Sequence, residues 1–305
     1  MELLEKLCAI PGTSGDECAI RDYILQFVLE NKFGWKNQPE IWAGDDFQDN
    51  LVLIFGHPKV AFYAHIDTVG FTIRYDNYVI PIGGIDGKTG DTLVFENGGK
   101  TNETKLIFEE KTDLTLVDAH LQIVPGTALT YKPDFIVDAD FIKSPYLDNR
   151  LGVWALLELA KTAENVALVF TTYEEHGGGA AGYLARLLYE KFKVAKAIIA
   201  DVTWVTTGVH FGKGPVISLR DSRIPRKTFV EKIKKIAKGA GIHFQLEVEY
   251  QGGSDGREIQ HLPYPIDWCF IGPPSENPHS SVEIVHKKDA YEFVKFLDVL
   301  AKNLV

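Results

Sequence analysis

From Ser144 onward, short apolar runs of strand length alternate with longer runs of helical length, and this alternation limits the fold more than any other feature of the chain. The spacing predicts a helix over 151–163, a strand over 166–172, a helix over 182–192 and a strand over 197–201. Phe229, Ile233 and Ile236 mark a helix over 225–239, 243–249 alternates as a strand, 268–271 is a strand, and 287–304 is a closing helix. Strands that alternate with helices bury both faces of a sheet, so the expected class is α/β with helices on each side.

Two helices are expected within 2–31, split at Pro11–Gly15, with Ser14 and Glu17 spaced as a capping box for the second. Residues 51–55 and 60–64 read as two strands joined by a turn at Gly56-His57-Pro58. Between Phe71 and Asp140 the texture changes. Short runs over 78–82, 92–95, 105–109 and 121–124 are broken by Gly, Asn, Asp and Pro, the pattern of a small all-β module. A chain of 305 residues accommodates one large domain with an insert. The expected division is therefore a discontinuous α/β domain over 1–69 and 142–305, interrupted by a β-barrel-like domain over 70–141.

Lys plus Arg is 32 and Asp plus Glu is 42, giving a formal charge of −10 with no basic block. Nucleic acid and anionic membranes are poor partners for such a surface. Glu2 and Glu5 stand where a signal peptide needs basic residues, and no apolar run approaches the ~18 residues of a membrane span. A cytoplasmic protein is expected. Cys8, Cys18 and Cys269 are scattered, so they are expected to be reduced and mostly buried and imply no thiolate metal site.

Chemistry collects where strands are expected to end, the place where open α/β sheets bind ligands. The strand over 60–64 runs into His65-Ile66-Asp67, whose alternate side chains point the same way, and a carboxylate beside an imidazole is a common device for orienting a metal ligand. Taken alone, this is also a hydrogen-bonded turn. Asp148 precedes an apolar helix and alone reads as an N-cap. Glu174 and Glu175 end another strand before a glycine-rich turn, and two adjacent carboxylates are costly to enclose without a cation. Asp201 ends a further strand, and His279 lies in a loop after the strand over 268–271. Together these residues form a nitrogen and oxygen donor set that suits zinc, or cobalt or manganese in its place. Two ions about 3.5 to 4 Å apart could share Asp148, each taking one histidine and one further carboxylate.

His65-Ile66-Asp67-Thr68-Val69-Gly70-Phe71, Leu147-Asp148-Asn149-Arg150, Glu174-Glu175, Asp201-Val202-Thr203, Gly252-Gly253-Ser254-Asp255 and Pro278-His279-Ser280 come in an order that resembles metallopeptidase family 42. That family comprises glutamyl, leucyl and deblocking aminopeptidases that often form tetrahedral dodecamers. The resemblance covers nearly the whole chain. It implies hydrolysis of the N-terminal peptide bond of short peptides by two divalent metal ions. His65 and Asp201 would hold one ion, Glu175 and His279 the other, and Asp148 both. Glu174 would be the general base and Asp67 would orient His65. The chain departs from the family's usual pattern at Thr68, where a glutamate is usual, at Asn149, where an aspartate is usual, and at His176, where an apolar residue is usual. The β-module is short, which points to a homo-oligomer of few chains rather than a dodecamer.

Ser254, Asp255 and Arg257 are the candidate substrate contacts, and Arg257 is the one lead on the side chain accepted, since a guanidinium pairs with a carboxylate. His176 and His261 are kept as further possible contacts. His57, His120, His210, His243 and His286 read as surface or hydrogen-bonding residues, and Lys232, Lys234, Lys235 and Lys238 as a solvated helix face. The alternatives to an aminopeptidase are a related metal-dependent carboxypeptidase, dipeptidase or deacylase, or a binding protein that keeps the fold without catalysis.

Overall fold

The computed structural model describes residues 1–109, 114–118 and 123–305. The centre is an eight-stranded sheet in the spatial order Glu40–Trp42, Leu51–Phe55, Val166–Thr171, Val60–His65, Lys196–Ala200, Asp267–Gly272, Val216–Arg220, Gln245–Val248. Its four middle strands, Val166–Thr171 through Asp267–Gly272, are mutually parallel. Every residue of Val60–His65 and Val166–Thr171 is buried. Continuous apolar runs therefore read as they do in doubly covered sheets.

Alternation within one strand assigns the two layers. Phe62 and Ala64 join the core formed with helices Cys18–Asn31, Leu147–Ala160 and Lys287–Asn303, while Ala61 and Tyr63 join the opposite core formed with helix Ala181–Phe192. Six further strands, Gly70–Ile73, Tyr78–Ile82, Thr92–Asn97, Lys100–Glu109, Leu114–Asp118 and Ala128–Tyr131, close a barrel around its own core of Phe71, Leu93, Phe95, Leu106 and Leu129. A third sheet joins Ile136–Val137, Phe141–Ser144, Glu283–His286, Pro274–Glu276 and Thr203–Trp204, which draws the approaches to Asp148, Asp201 and His279 together.

Several expectations change. Strands Leu51–Phe55 and Val60–His65 are joined by the expected turn, but within the sheet Val166–Thr171 lies between them, antiparallel to the first and parallel to the second. The turn at 56–59 thus steps over one strand. The helix expected from residue 151 begins at Leu147, with Asp148 and Asn149 in non-helical conformation at its mouth. Asn149 caps it: Oδ1 accepts from Gly152 N at 2.9 Å while Nδ2 donates to Ala200 O at 2.9 Å. A carboxylate cannot make both bonds, which accounts for an amide here. The expected capping box is absent, since helix Cys18–Asn31 carries no side-chain cap. Residues 121 and 122 of the expected strand over 121–124, and His120, lie outside the described residues, while Ile123 and Val124 are in no strand. Cys8 and Cys269 are buried and Cys18 is exposed, all three free.

Strand Asp267–Gly272 passes so close to the end of its neighbour that an ideal Cβ on Gly272 falls 1.4 Å from Asp201 O, a backbone atom with nowhere to go. Gly272→Ala must therefore push the two strand ends apart, and overpacking of this kind costs about 1–3 kcal/mol. The expected outcome is a thermal midpoint several degrees below wild type. Differential scanning calorimetry of the two proteins checks it, and equal midpoints would mean the contact yields freely.

Candidate metal centre

His65 ends its strand, Asp201 directly follows strand Lys196–Ala200, and Glu174 and Glu175 lie just beyond Val166–Thr171, so three neighbouring parallel strands deliver them to one edge of the sheet. Asp148 arrives from the mouth of helix Leu147–Ala160 and His279 from the loop after Pro274–Glu276. The ligand-type atoms of His65, Asp148 and Asp201 lie within 4.8 Å of one another, as do those of Asp148, Glu175 and His279. Asp148 belongs to both groups. Its Oδ1 is 3.2 Å from His65 Nε2, and its Oδ2 is 3.3 Å from His279 Nε2. His65 Nε2 is also 3.4 Å from Asp201 Oδ2, and His279 Nε2 is 3.2 Å from Glu175 Oε2.

Supporting bonds fix these groups from behind. The buried Asp67 carboxylate accepts from Glu174 N at 3.1 Å, from Glu175 N at 3.0 Å and from Ser14 Oγ at 2.6 Å, with Oδ1 3.5 Å from His65 Nδ1. The His65 Nδ1 is nearer still to Asp67 O, at 3.1 Å. Glu283, buried, accepts from Asp148 N at 2.8 Å and His279 N at 2.9 Å. Glu17 accepts from Tyr173 N at 3.2 Å. Tyr173 and His279 both hold φ above +60°, a region costly for residues with a Cβ, so each carboxylate pins a strained backbone beside a site residue. The fully buried Arg150 donates to Ile66 O and, at 3.1 Å, to Ile10 O, which ties the His65–Asp67 turn to the N-terminal segment.

Burial and crowding set the charges. Burial pushes the Glu174 carboxyl well above the ordinary carboxylate range, with Glu175, Asp201 and Asp255 adding to the effect against His65. Glu175 rises to about 7 by burial and by the nearby Asp148. Burial opposes the charged imidazolium of His279, yet Asp148 and Glu175 outweigh it and push His279 up to about 12. Two imidazoles face four carboxylates here, and Glu175 Oε1 is buried without a hydrogen-bond partner. Such a donor set fits divalent cations, which would neutralise the excess and meet the orphaned oxygen.

The cavity over this cluster is lined by His65, Asp148, Glu174, Glu175, Asp201 and His279. The candidate substrate contacts do not line it. Ser254 is buried and donates to Asp201 Oδ2 at 2.7 Å, and Asp255 is buried and accepts from Thr171 Oγ1 at 2.5 Å, so both sit beneath the site. Arg257 pairs with Glu258 at 3.1 Å on a short helix. His176 Nδ1 accepts from Gly83 N of the barrel at 3.1 Å, and His279 Nδ1 lies 3.2 Å from Gly84 O, so the barrel turn is fastened over the site. His261 is exposed, as are His57, His210 and His243; His286 caps the last helix through Lys288 N. Glu283 escaped the sequence reading, and Glu17, Ser14 and Arg150 were read without their roles at the site. The S-x-x-E spacing of Ser14 and Glu17 was visible, but both reach into the site instead of capping a helix.

The family model for M42 glutamyl aminopeptidases matches residues 96–296. A relative from Acetivibrio thermocellus, provisionally named an aminopeptidase, is 28% identical over 330 residues, spanning 97% of this chain and 96% of its own length. The solved structure of an aminopeptidase from the archaeon Desulfurococcus kamchatkensis shares the fold with a TM-score of 0.85 at 23% identity, covering 99% of this chain and 94% of that one. The TET1 peptidase of Pyrococcus horikoshii, described as assembling into a tetrahedron or a large octahedral shell, gives 0.81 at 24% identity over 98% of each chain. Among the described residues no helix is long and apolar enough to cross a membrane.

Burial raises Glu17 from its ordinary 4.5 to about 7. An acid whose folded value is raised binds its proton more tightly when folded, so stability is lost as pH climbs from the unfolded value to the folded one. Glu17→Gln keeps an acceptor for Tyr173 N and cannot ionise. Wild type should therefore lose stability relative to Glu17→Gln between pH 4.5 and about 7, by roughly 3 kcal/mol, with a constant difference above that. Urea unfolding of both proteins across this range checks the sign; parallel curves would sink it.

Proposed function

The chain belongs to the M42 glutamyl aminopeptidase family and is a peptide hydrolase, and on that premise we propose that it removes the N-terminal residue of short peptides at a centre holding two divalent metal ions. The observation that carries this reading is the posture of Asp148, whose two oxygens face two different histidines, each with its own further carboxylate. His65 and Asp201 would hold one ion, Glu175 and His279 the other, and Asp148 both. Nitrogen and oxygen donors without thiolate suit zinc, with cobalt or manganese able to replace it. When bound, the metals supply Lewis acidity toward the scissile carbonyl and the attacking water and a seat for the free α-amine.

The remaining work belongs to side chains. Glu174 lines the same cavity and accepts no side-chain hydrogen bond from the ligand histidines, so its carboxylate is free to take the proton of the attacking water and return it to the leaving amine. Asp67 aligns Glu174, Glu175 and His65 together. We further propose that residues 1–69 and 142–305 make the catalytic domain and 70–141 an inserted domain, through which copies of the chain associate. Tyr75, Ile80 and Phe108 leave exposed apolar surface on the barrel, which supports that assignment. The reducing cytoplasm suits three free cysteines.

Protein reconstituted with excess zinc or cobalt and freed of unbound ion should carry about two ions per chain. Glu174→Gln should keep that metal content while turnover of an aminoacyl anilide falls roughly 10²- to 10⁴-fold. Glu175→Gln should instead lose metal and recover partly in excess zinc. A stoichiometry of one with full activity, or a zinc-loaded Glu174→Gln protein near the wild-type rate, would refute the mechanism.

Association through the barrel predicts a particle larger than one chain. Light scattering at micromolar concentration reads this directly, and a clean monomer would refute it.

A further inference from the structure

The same cavity has a further acidic lining that lies outside the candidate metal ligands. It is formed by Asp221, Glu247 and Glu249, beside Trp204 and Phe270. Strands Val216–Arg220 and Gln245–Val248 run parallel with Ser218 opposite Glu247, Glu249 N donates to Arg220 O at 2.9 Å, and Asp221 comes directly after the first strand. Two paired strands thus bring three carboxylates to one edge. Glu247 is 5% exposed and Asp221 7%, so these are desolvated acids, not a solvated fringe.

Their partners leave charge over. Glu247 accepts from Thr203 Oγ1, and Asp221 Oδ1 accepts from Arg223 N at 2.5 Å. Arg223 and Arg257 act on Asp221 electrostatically, but neither lines the cavity, and no lysine or arginine among the described residues does. A third metal ion does not fit either. Among the described residues, only the two groups around Asp148 bring three ligand atoms within 4.8 Å of one another, and the three distal carboxylates do not form such a group. Spread acids next to an indole and a phenyl ring suit a cation carried on an aliphatic stem, whose methylenes pack on the rings while its head meets the carboxylates.

We infer that this wall receives the side chain of the substrate's first residue and that the enzyme prefers peptides beginning with lysine or arginine. The inference rests on the aminopeptidase reading above. It reverses the lead offered by Arg257, which pairs with Glu258 and does not line the cavity. A glutamyl side chain would meet three like charges in a cavity that no lysine or arginine among the described residues lines.

The test compares lysyl, arginyl, leucyl and glutamyl anilides on the metal-loaded wild type and on Asp221→Asn, Glu247→Gln and Glu249→Gln. The expected wild-type order of kcat/KM places lysyl and arginyl first and glutamyl last. Each neutralised variant should lower the lysyl-to-leucyl ratio, by roughly 10- to 100-fold where a charge-assisted bond is lost, and raise the glutamyl-to-leucyl ratio. A residue with only a structural role would lower all substrates together and leave the ratios fixed. Calorimetry with L-lysinamide and L-norleucinamide on metal-loaded Glu174→Gln protein provides a second reading, with lysinamide expected to bind at least tenfold tighter. A wild type fastest on glutamyl or leucyl anilide, or ratios unmoved in all three variants, would overturn the proposal. If no anilide is cleaved, the aminopeptidase reading falls, and calorimetry alone then decides the recess: tighter lysinamide upholds it and equal binding overturns it.

Discussion

A carboxylate sealed from solvent at Asp67 receives the backbone N–H groups of Glu174 and Glu175 and the hydroxyl of Ser14, and lies against the imidazole of His65. These partners come from the N-terminal segment and from two adjacent parallel strands. Hydrogen bonds to a charged acceptor are worth more than neutral ones, and a buried carboxylate that lost them would face its full desolvation cost. Burial works against the charge of Asp67, yet His65, Ser14 and Glu175 N outweigh it and hold the group below its ordinary range. The position of every group on the His65 and Glu174–Glu175 side of the site is referred to this one side chain.

The opposite side follows the same logic with different residues. Glu283 holds the backbone of Asp148 and of His279, and Glu17 holds Tyr173. Tyr173 and His279 sit in left-handed backbone, a conformation that persists only where surrounding contacts over-determine it. Buried acids that touch no metal thus set the aim of the residues proposed to do so. The close passage of Gly272 against Asp201 O, and the Asn149 amide spanning Gly152 N and Ala200 O, place Asp201 and Asp148 in the same frame.

How much of this was legible in the sequence follows from the range of each interaction. His65, Glu174, Glu175 and Asp201 were readable because an apolar run of strand length announces its own end, and residues just past it in a parallel sheet share one edge. Asp148 and His279 were weaker, resting on their place in an ordered set of motifs. Glu283 carried no signal, since its partner Asp148 lies 135 residues away. Ser14 and Glu17 carried a misleading one: their spacing fits a local cap, and tertiary bonds to Asp67 and Tyr173 won instead.

The cavity therefore has two acidic walls that differ in what offsets their charge. Asp148, Glu175 and Asp201 face imidazoles and a geometry that can gather ions, so their compensation is resident. Asp221, Glu247 and Glu249 have a hydroxyl and a backbone N–H but no cation in the cavity, so theirs is left to whatever enters. Burying uncompensated carboxylates costs stability, and a fold keeps such a cost most readily where binding relieves it. The same two strands also carry Ser218 opposite Glu247 and Glu249 N on Arg220 O, which ties the acidic wall to the sheet. Charge placed on a rigid element discriminates between side chains, because it cannot turn away from a like charge to accommodate it.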